Sequence, residues 1–262
     1  MIFREKRILD YSFQHPSTSQ IRASDAEGVA RYLSRHAGPK RLYLPEARAL
    51  LAAGLSITVV FEDSATRARD GYPAGVADAQ EAAVQATALG LPHDVPIFYA
   101  VDEDTTAAAC RAYFTGIASV RHPWPVAAYG DISVVDGLLG MRLARYGWQT
   151  SAWSHGAVSK AAHLYQRQSA KHPVAGTDEN VVLRSFPTWT LKSPTPPAPP
   201  RPVQEVRMLV QFIGHPEVWE VVGSKLLHVT KASWLARGLK RTQVRMLPTT
   251  HPLFVLPKEI AA

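Results

Sequence analysis

The sequence "FYAVDEDTT", residues 98–106, is an apolar run that ends in three consecutive carboxylates and two threonines. It lies within "VPIFYAVDED" (95–104), whose apolar and aromatic residues predict a buried strand. The next segment, "TTAAACRAYFTGIASV" (105–120), predicts a helix with Thr105 or Thr106 as its N-cap. A buried strand that passes through acids into a helix is typical of an alternating β/α fold, which carries its functional side chains at the carboxyl ends of the strands.

The same alternation continues on both sides of this stretch. The other strand candidates in the first half are "RILDYS" (7–12), "GVARYLS" (28–34) and "SITVVFE" (56–62), and "WPVAAYGD" (124–131) follows the helix. Helices are predicted for "LPEARALLAAGL", where Gly54 is the stop, and for residues 74–90, closed by Gly90. This order implies parallel strands joined by right-handed crossovers.

From residue 125 to residue 182 the strand candidates are closely spaced. They are "PVAAYG", "WQTSAWS", "AHLYQRQ" and "TDENVV", which leave room for only one or two short helices. The chain therefore has eight strand candidates in all, and we predict an α/β fold, a trimmed TIM-like (β/α)8 barrel with an eroded second half. A full barrel of this kind typically needs about 250 residues.

A proline-rich segment divides the chain. "KSPTPPAPPRP" (192–202) holds six of the 20 prolines, and such a run favours an extended, semi-rigid spacer. We therefore predict a barrel domain over 1–190, a linker over 191–202 and a small module over 203–262. The strand-like segments "EVRMLVQFI", "EVWEVVG", "KLLHVT" and "TQVRMLP" predict a β-rich module, in which "SWLARGLK" forms a helical turn or two.

Charge is distributed unevenly between these parts. Residues 1–190 carry 19 Lys and Arg against 18 Asp and Glu, whereas residues 191–262 carry 10 against 4, so the net charges are +1 and +6. The basic module is the part that would attach to an anionic polymer, in a salt-sensitive way. Candidate residues for a wall-polymer site are Trp219, Trp234, His228, Lys225, Lys231, Arg237, Lys240 and Arg241. The alternative is that the rings are core and the charges form a solvated face.

Several classes of protein are excluded by absent patterns. Cys110 is the single cysteine, and the ten histidines lack HxxxH or HExxH spacing, so neither a disulfide scaffold, a metal site nor a cofactor is predicted. No helix-turn-helix, zinc or RNP pattern favours nucleic acid as a partner. The N-terminus lacks an apolar region of about 7 to 15 residues, and no run of about 18 apolar residues exists, so we expect neither a signal peptide nor a membrane span.

Carboxylates follow several of the predicted strands. Asp10, Glu62 and Asp102 come at or just after strand ends, and Asp178 lies at the start of the last strand, so the barrel would deliver them to one rim. In an extended segment Asp102 and Asp104 would share a direction and form a pair, while Glu103 would point away.

Such a pair suits the hydrolysis of glycosidic bonds, because crowding of like charges raises one pKa and so provides a proton donor. The alternative for each acid is that it caps the following helix, as Asp104 could do.

Aromatic and amide side chains near the strand ends suit sugar binding, since rings stack on sugar faces and amides bond to hydroxyls. The candidates are Tyr11, Tyr32, Tyr99, Tyr129, Trp148, Gln149, Trp153 and Gln166. The alternative is that many of the rings belong to the barrel core.

The motifs "YLPEA…AGL" and "GVADAQEAAVQATALGLP", with "ILDYSFQHPS", "IFYAVDED", "WQTSAWS" and "GTDEN" in this order, carry a family resemblance. Over about residues 7–183 the chain resembles the glycoside-hydrolase-like barrel domain of actinobacterial secreted proteins and phage-encoded proteins. That domain is distantly similar to the glycoside hydrolase family 25 lysozymes, which cut the glycan strands of peptidoglycan.

This resemblance implies roles for particular residues. Asp10 corresponds to the first-strand Asp of the lysozymes, residues 102–104 to their Asp-x-Glu, and Asp178 with Asn180 to their terminal Asp-x-Asn. The expected proton-donor Glu is Asp104 here, which withdraws the carboxyl by about 1.5 Å. Either the groove is reshaped, or Glu62 supplies the acid, or the barrel binds glycan without cutting it efficiently.

Two functions follow from this resemblance. The first is a lysozyme-like hydrolase of peptidoglycan or another cell-wall glycan, on the plan of a phage lysin. The second is a non-catalytic glycan-binding or virion structural protein, such as a tail component, whose partners include other virion proteins. Either one predicts a location in a phage virion, or in the host cytoplasm before release, with action at the bacterial cell wall.

Overall fold

The structure is a computed structural model that describes residues 6–168, 174–191, 209–222, 225–230, 244–247 and 258–260. The chain divides into two compact units, Met1–Pro196 and Pro197–Ala262. All but the first residue of the predicted linker, and the segment "SWLARGLK", lie outside the described residues. Among the described residues, no helix is both long and apolar enough to cross a membrane.

The first unit is a closed barrel of eight strands, which confirms the predicted fold class. The strands are β1 (Arg7–Asp10), β2 (Gly28–Leu33), β3 (Ser56–Phe61), β4 (Ile97–Ala100), β5 (Val126–Gly130), β6 (Tyr146–Thr150), β7 (Leu164–Arg167) and β8 (Asp178–Val182). They follow one another around the barrel in chain order, and β1 to β7 are parallel. β8 runs antiparallel to both of its neighbours, β7 and β1, and closes the barrel.

Helices connect the first six strands. They are α1 (Thr18–Ala23), α2 (Leu44–Ala52), α3 (Gly71–Leu89), α4 (Ala107–Ser119) and α5 (Ile132–Gly140). Gly54 and Gly90 follow α2 and α3 with left-handed φ values of 77° and 73°, as expected for helix stops. Thr106, rather than Thr105, caps α4 by accepting a hydrogen bond from the backbone of Ala109. Beyond β6, the described part of the barrel unit contains no further helix.

Alternate residues of each strand belong to two different apolar clusters, one on each side of the barrel sheet. One set faces the barrel axis and includes Ile8, Ala30, Val60, Phe98, Ala127, Trp148 and Leu164. The intervening residues, such as Leu9, Val59 and Tyr99, pack against the helices in a larger outer cluster. Because side chains alternate along a strand, a position's parity decides whether its side chain can reach the barrel mouth.

The second unit contains a five-stranded sheet in the order β12-β9-β10-β11-β13. Its strands are β9 (Leu209–Phe212), β10 (Val218–Val222), β11 (Lys225–His228), β12 (Val244–Leu247) and β13 (Lys258–Ile260). This agrees with the predicted β-rich module. The rings of Trp219 and His228 are cross-strand partners 5.2 Å apart. Five of the predicted wall-polymer residues lie outside the described residues: Lys231, Trp234, Arg237, Lys240 and Arg241.

The helices α3 and α4 pack closely through two glycines. A Cβ on Gly75 would lie 2.0 Å from the carbonyl oxygen of Tyr113, and a Cβ on Gly116 would lie 2.2 Å from that of Tyr72. Backbone atoms cannot move aside as a flexible side chain can. The two helices therefore need glycine at both positions to keep their spacing on the barrel wall.

We expect Gly75→Ala to lower the free energy of unfolding by roughly 1 to 3 kcal/mol, because the added methyl group overpacks the contact between α3 and α4. Gly140→Ala is the matched control, since a Cβ there meets nothing within 4 Å. It should leave stability unchanged or raise it by up to about 1 kcal/mol. Urea denaturation of both variants measures the difference, and equal stability of the two would contradict the contact.

Candidate active site

Inward-facing polar side chains from most of the strands meet at one end of the barrel. Seven of them form what we call the mouth network: Asp10, Tyr32, Glu62, Asp102, Tyr129, Gln166 and Asp178. They lie at the carboxyl ends of β1 to β7, where barrels of this class carry their active sites. Because β8 runs in the opposite direction, its first residue, Asp178, pairs with Asp10 at this same end.

Asp10 is the buried centre of this network, with 2% of its surface exposed. Its carboxylate accepts hydrogen bonds from the Tyr32 hydroxyl at 3.2 Å, from Nε2 of Gln166 at 3.2 Å and from Nδ2 of Asn180 at 2.7 Å. Asn180 is held in turn by Trp148, whose indole Nε1 donates to its Oδ1 at 2.8 Å. Trp148 and Asn180 are both fully buried, so they position Asp10 rather than face the mouth.

Burial raises the pKa of Asp10 to about 6, since a charged carboxylate loses its hydration inside the barrel. The hydrogen bond from Asn180 opposes this rise in pKa, and the negative charge of Asp178 adds to it. The bonds from Gln166 and Tyr32 also lower the pKa. Asp10 therefore changes charge near neutral pH instead of at the acidic pH that is usual for aspartate.

Asp102 is half-buried and joins the network through Tyr129. The Tyr129 hydroxyl lies 2.7 Å from Oε1 of Gln166 and 3.4 Å from Oδ1 of Asp102, and it can donate its proton to either. Gln166 also reaches Asp178, at 3.4 Å from Nε2 to Oδ2. Burial raises the pKa of Asp102, and the hydrogen bond from Tyr129 opposes the rise. Tyr129 and Gln166 thus connect Asp102 with Asp10.

Glu62 forms an ion pair with Lys40, at 2.8 Å between Oε1 and Nζ. The Lys40 ammonium also lies 4.8 Å from the centre of the Tyr32 ring. Burial raises the pKa of Glu62, Lys40 lowers it, and the charge of Asp102 raises it further. The sequence analysis missed Lys40, although its position in the loop after β2 is one where barrel enzymes carry functional residues.

Three predicted sugar-binding residues face away from the mouth. The hydroxyl of Tyr11 donates to Glu46 of α2 at 3.0 Å, and Tyr99 is fully buried beside Phe61 in the outer cluster. Gln149 is also fully buried and holds the backbone of the loop after β6. All three have outward parity on their strands, which corrects their assignment as ligand contacts.

Asp104 also lies outside the mouth network. It is exposed, and the described residues form no hydrogen bond or ion pair with it. β4 ends at Ala100 and the chain bends at residues 103 and 104, so the alternation expected of an extended segment does not apply there. Glu103 points elsewhere and binds Arg69, with 2.6 Å between Oε2 and Nε. Since Thr106 caps α4, capping does not account for Asp104 either.

Trp153 lies on the loop that follows β6 and is 38% exposed. Its φ is 57°, in the left-handed region that a bulky side chain rarely adopts. The neighbouring Ser154 is buried and donates to the Thr150 carbonyl at 2.7 Å, which fixes the loop. Trp153 is therefore an exposed ring on an anchored loop.

The described residues contain no group of three or more His, Cys, Asp or Glu side chains arranged to hold a metal ion. A barrel whose mouth carries carboxylates with raised pKa, together with amide and phenol groups, defines a glycoside-hydrolase-like protein. Residues 19–182 match the profile of the Rv2525c-like, glycoside hydrolase-like domain. The chain belongs to this family, which confirms the resemblance seen in the sequence.

Individual relatives agree with this assignment. The chain is 30% identical over 199 residues to a candidate peptidoglycan hydrolase, Rv2525c of Mycobacterium tuberculosis, and covers 83% of that protein with 70% of its own length. Crystal structures of the Tat-secreted Rv2525c with HEPES and with L-tartrate give TM-scores of 0.63 and 0.64, at 28% identity over 71% of this chain and 99% of the other. An uncharacterized protein of B. stearothermophilus shares the fold, with a TM-score of 0.51, 17% identity and coverage of 68% of this chain and 95% of the other.

We expect the carboxyl group of Asp10 to titrate at about pH 6 in the folded protein. Asp178→Asn should lower this midpoint because it removes a nearby negative charge, and Asn180→Ala should raise it because it removes a stabilising hydrogen bond. Carbon-13 NMR of the carboxyl groups measures both. A midpoint near 4, or one that neither substitution moves, would contradict the described environment of Asp10.

The sign of the effect on stability follows from the same pKa. Since the folded-state value lies above the unfolded value of about 3.9, folded Asp10 binds more protons than unfolded Asp10 between about pH 4 and pH 6. Its contribution to the free energy of unfolding is therefore present at low pH and is lost as the pH rises through about 6.

Proposed function

We propose that this protein hydrolyses glycosidic bonds in a bacterial cell-wall glycan. The observation that carries the proposal is the mouth network, in which Asp10, Glu62 and Asp102 arise from three different strands and each has a raised pKa. Glycoside hydrolysis needs one carboxyl group that can donate a proton and another that stays ionised. The relationship to Rv2525c, a candidate peptidoglycan hydrolase, supports peptidoglycan as the substrate.

In this proposal Asp102 is the proton donor. Asp102 is half-buried. Burial raises its pKa, which favours the protonated form, and the carboxyl group can still reach a sugar in the mouth. As the glycosidic bond breaks, its oxygen takes the proton from Asp102 and positive charge develops on the sugar ring. The carboxylate of Glu62, which is paired with Lys40, faces this charge and stabilises it. Asp10 is too deeply buried to touch the sugar, and it orients Gln166 and Tyr32.

The remaining inward polar groups would hold the substrate. Tyr32, Tyr129 and Gln166 present hydroxyl and amide groups to the mouth, where sugar hydroxyls can bond to them. Trp153 offers a flat ring on which a sugar face can stack. A glycan would thus be held from β2, β5 and β7 and from the loop after β6.

The position of Asp104 favours a second candidate function, glycan binding without cleavage. In the lysozyme resemblance this position carries the proton donor, and here the side chain is exposed and outside the network. Such a barrel would serve as a recognition platform at the cell wall, as a virion component or as a secreted protein. The relative Rv2525c is Tat-secreted, which supports action at the wall. The phage setting stays a prediction from the sequence.

We expect Asp102→Asn to reduce the release of reducing sugar from purified actinobacterial peptidoglycan by about 100-fold or more, because it removes the proton donor. Asp104→Glu restores the Asp-x-Glu pattern of the lysozymes, but the side chain at position 104 lies outside the mouth network. It should leave the rate within about threefold of wild type, since a group that does not reach the reacting atoms gives no transition-state stabilisation.

Asp104→Asn is the matched control for charge, and glycan binding by each variant distinguishes lost affinity from lost chemistry. A large gain in rate for Asp104→Glu would transfer the donor role to position 104. Glycan binding without cleavage, by the wild type and by Asp104→Glu alike, would favour the second function.

We also propose that the chain beyond Pro202 is a separate module that attaches the barrel to an anionic wall polymer. The support is its net charge: residues 203–262 carry 8 Lys and Arg against 4 Asp and Glu, which gives +4, whereas residues 1–190 carry +1. A module of this charge would bind an anionic wall polymer mainly through electrostatics. The function of the barrel does not depend on this second proposal.

Removal of residues 203–262 should weaken binding to wall sacculi at low salt, and the difference from the full chain should vanish at about 1 M salt, where charges are screened within about 3 Å. Sedimentation with sacculi at several salt concentrations measures the effect, and the Tm of the truncated chain checks that the barrel is folded. Unchanged binding by a folded barrel would exclude an attachment role for the module.

A further inference from the structure

Lys40 is a cation among the carboxylates of the barrel mouth, and the proposed mechanism does not use it directly. Its ammonium forms the ion pair with Glu62 at 2.8 Å and acts through its charge on Asp102 as well. The side chains of Lys40 and Glu62 are only 21% and 15% exposed. An ion pair this deep is screened less by water than a surface pair, so its electrostatic effect is larger.

The loop that carries Lys40 is fixed on both sides of that residue. The carbonyl oxygen of Pro39 accepts a hydrogen bond from Nη2 of the buried Arg31 at 3.1 Å, and it lies 2.6 Å from Nε2 of His15. On the other side, Arg41 forms a β-bridge with Tyr32. Contacts with Arg31 and Tyr32 of β2 therefore fix the backbone at Lys40, and the ion pair with Glu62 is not needed for this.

The side chain is held as well. The Lys40 ammonium lies 4.8 Å from the centre of the Tyr32 ring, and the hydroxyl of that ring donates to Asp10. A free lysine side chain samples many rotamers, and the contacts with Tyr32 and Glu62 restrict that of Lys40 before any substrate arrives. Lys40 thus contacts the Glu62 carboxylate directly. It also contacts Tyr32, which in turn donates a hydrogen bond to Asp10.

The carboxylates around Lys40 are not equivalent. Glu62 faces Lys40, Asp102 and Asp63, and the ion pair with Lys40 is its one direct bond to a cation among the described residues. Asp102 faces Tyr129, Lys40 and Asp178, and it has no ion pair within the described residues. The ammonium in contact with Glu62 favours the charged form of that carboxyl group, whereas Asp102 meets Lys40 only through its charge at longer range.

We propose that Lys40 is a positioning residue that keeps Glu62 ionised while Asp102 carries the proton. The inference deepens the proposed function, on which its catalytic part rests, by naming the group that divides the acid and charged roles between two neighbouring carboxylates. Catalysis by a carboxylate pair needs such a division, and environment is what creates it. The effect of Lys40 on the titration of Glu62 and Asp102, by contrast, can be measured on the protein without substrate.

The test is carbon-13 NMR titration of the Glu62 and Asp102 carboxyl groups in the full chain without glycan. Lys40→Met keeps the length and apolar character of the side chain and removes the charge, so we expect the Glu62 midpoint to move to higher pH. Lys40→Arg keeps the charge and should leave the Glu62 midpoint close to that of the wild type. Lys6→Met is the matched control, since Lys6 pairs with Glu27 at 3.5 Å at the other end of β1.

An unchanged Glu62 midpoint in folded Lys40→Met, or an equal change in Lys6→Met, overturns the proposal. Where the wild type cleaves glycan, Lys40→Met should move the acid limb of the kcat/KM profile to higher pH and lower the rate on that limb by about tenfold, with rescue by Lys40→Arg. A wild type without cleavage would refute the proposed reaction and leave the NMR result to decide the role of Lys40.

Discussion

The hydrogen bond from Asn180 to Asp10 joins the last strand of the barrel to the first on its inner side. β8 is the one strand that runs against its neighbours, and this direction places Asp178 and Asn180 beside the end of β1. The same closure removes Asp10 from water and fixes the amide that opposes its charge. A buried acid without such donors would cost several kcal/mol to ionise. The hydrogen bonds of the network therefore lower the cost of ionising Asp10, and they also orient its carboxylate.

The described mouth also explains why an acidic cluster can persist in a stable barrel. Its members are spread over separate strands, and neutral groups, chiefly Tyr129 and Gln166, lie between them. Each carboxylate therefore meets a donor before it meets another carboxylate. Burial raises the pKa values of Asp10, Glu62 and Asp102, and the residual repulsion adds to this rise; a raised pKa is what acid catalysis requires.

Much of the fold could be predicted from the sequence because strand and helix signals alternate and the helix stops are glycines. The position of Asp10 and Asp102 at the barrel mouth could be predicted because each follows an apolar run. The prediction that Tyr99 and Gln149 bind sugar was wrong because residue type alone does not decide which face of a strand a ring or an amide occupies. Had Asp102 fixed the inward parity of β4, Tyr99 would have been assigned to the outer face. Lys40 could not be found in this way, because its position depends on the hydrogen bond from the Arg31 side chain to the Pro39 carbonyl, a contact within a loop that strand periodicity does not predict.

The lack of described helices after β6 divides the barrel wall into two kinds of surface. Before that point the outer face of the sheet is packed against helices and is mostly apolar, and the buried Arg31 of β2 is paired there with Glu46 of α2. Beside β8 the outer face carries the ion pair of Arg7 with Glu179, and Tyr165 on β7 is partly exposed. A sheet that meets water on one side accepts polar residues there, whereas a sheet buried on both sides does not. The two halves of one barrel are therefore open to different sequence change, and the outer side of β7 and β8 tolerates polar substitutions that the mouth-facing side of the same strands, which carries Gln166 and Asp178, does not.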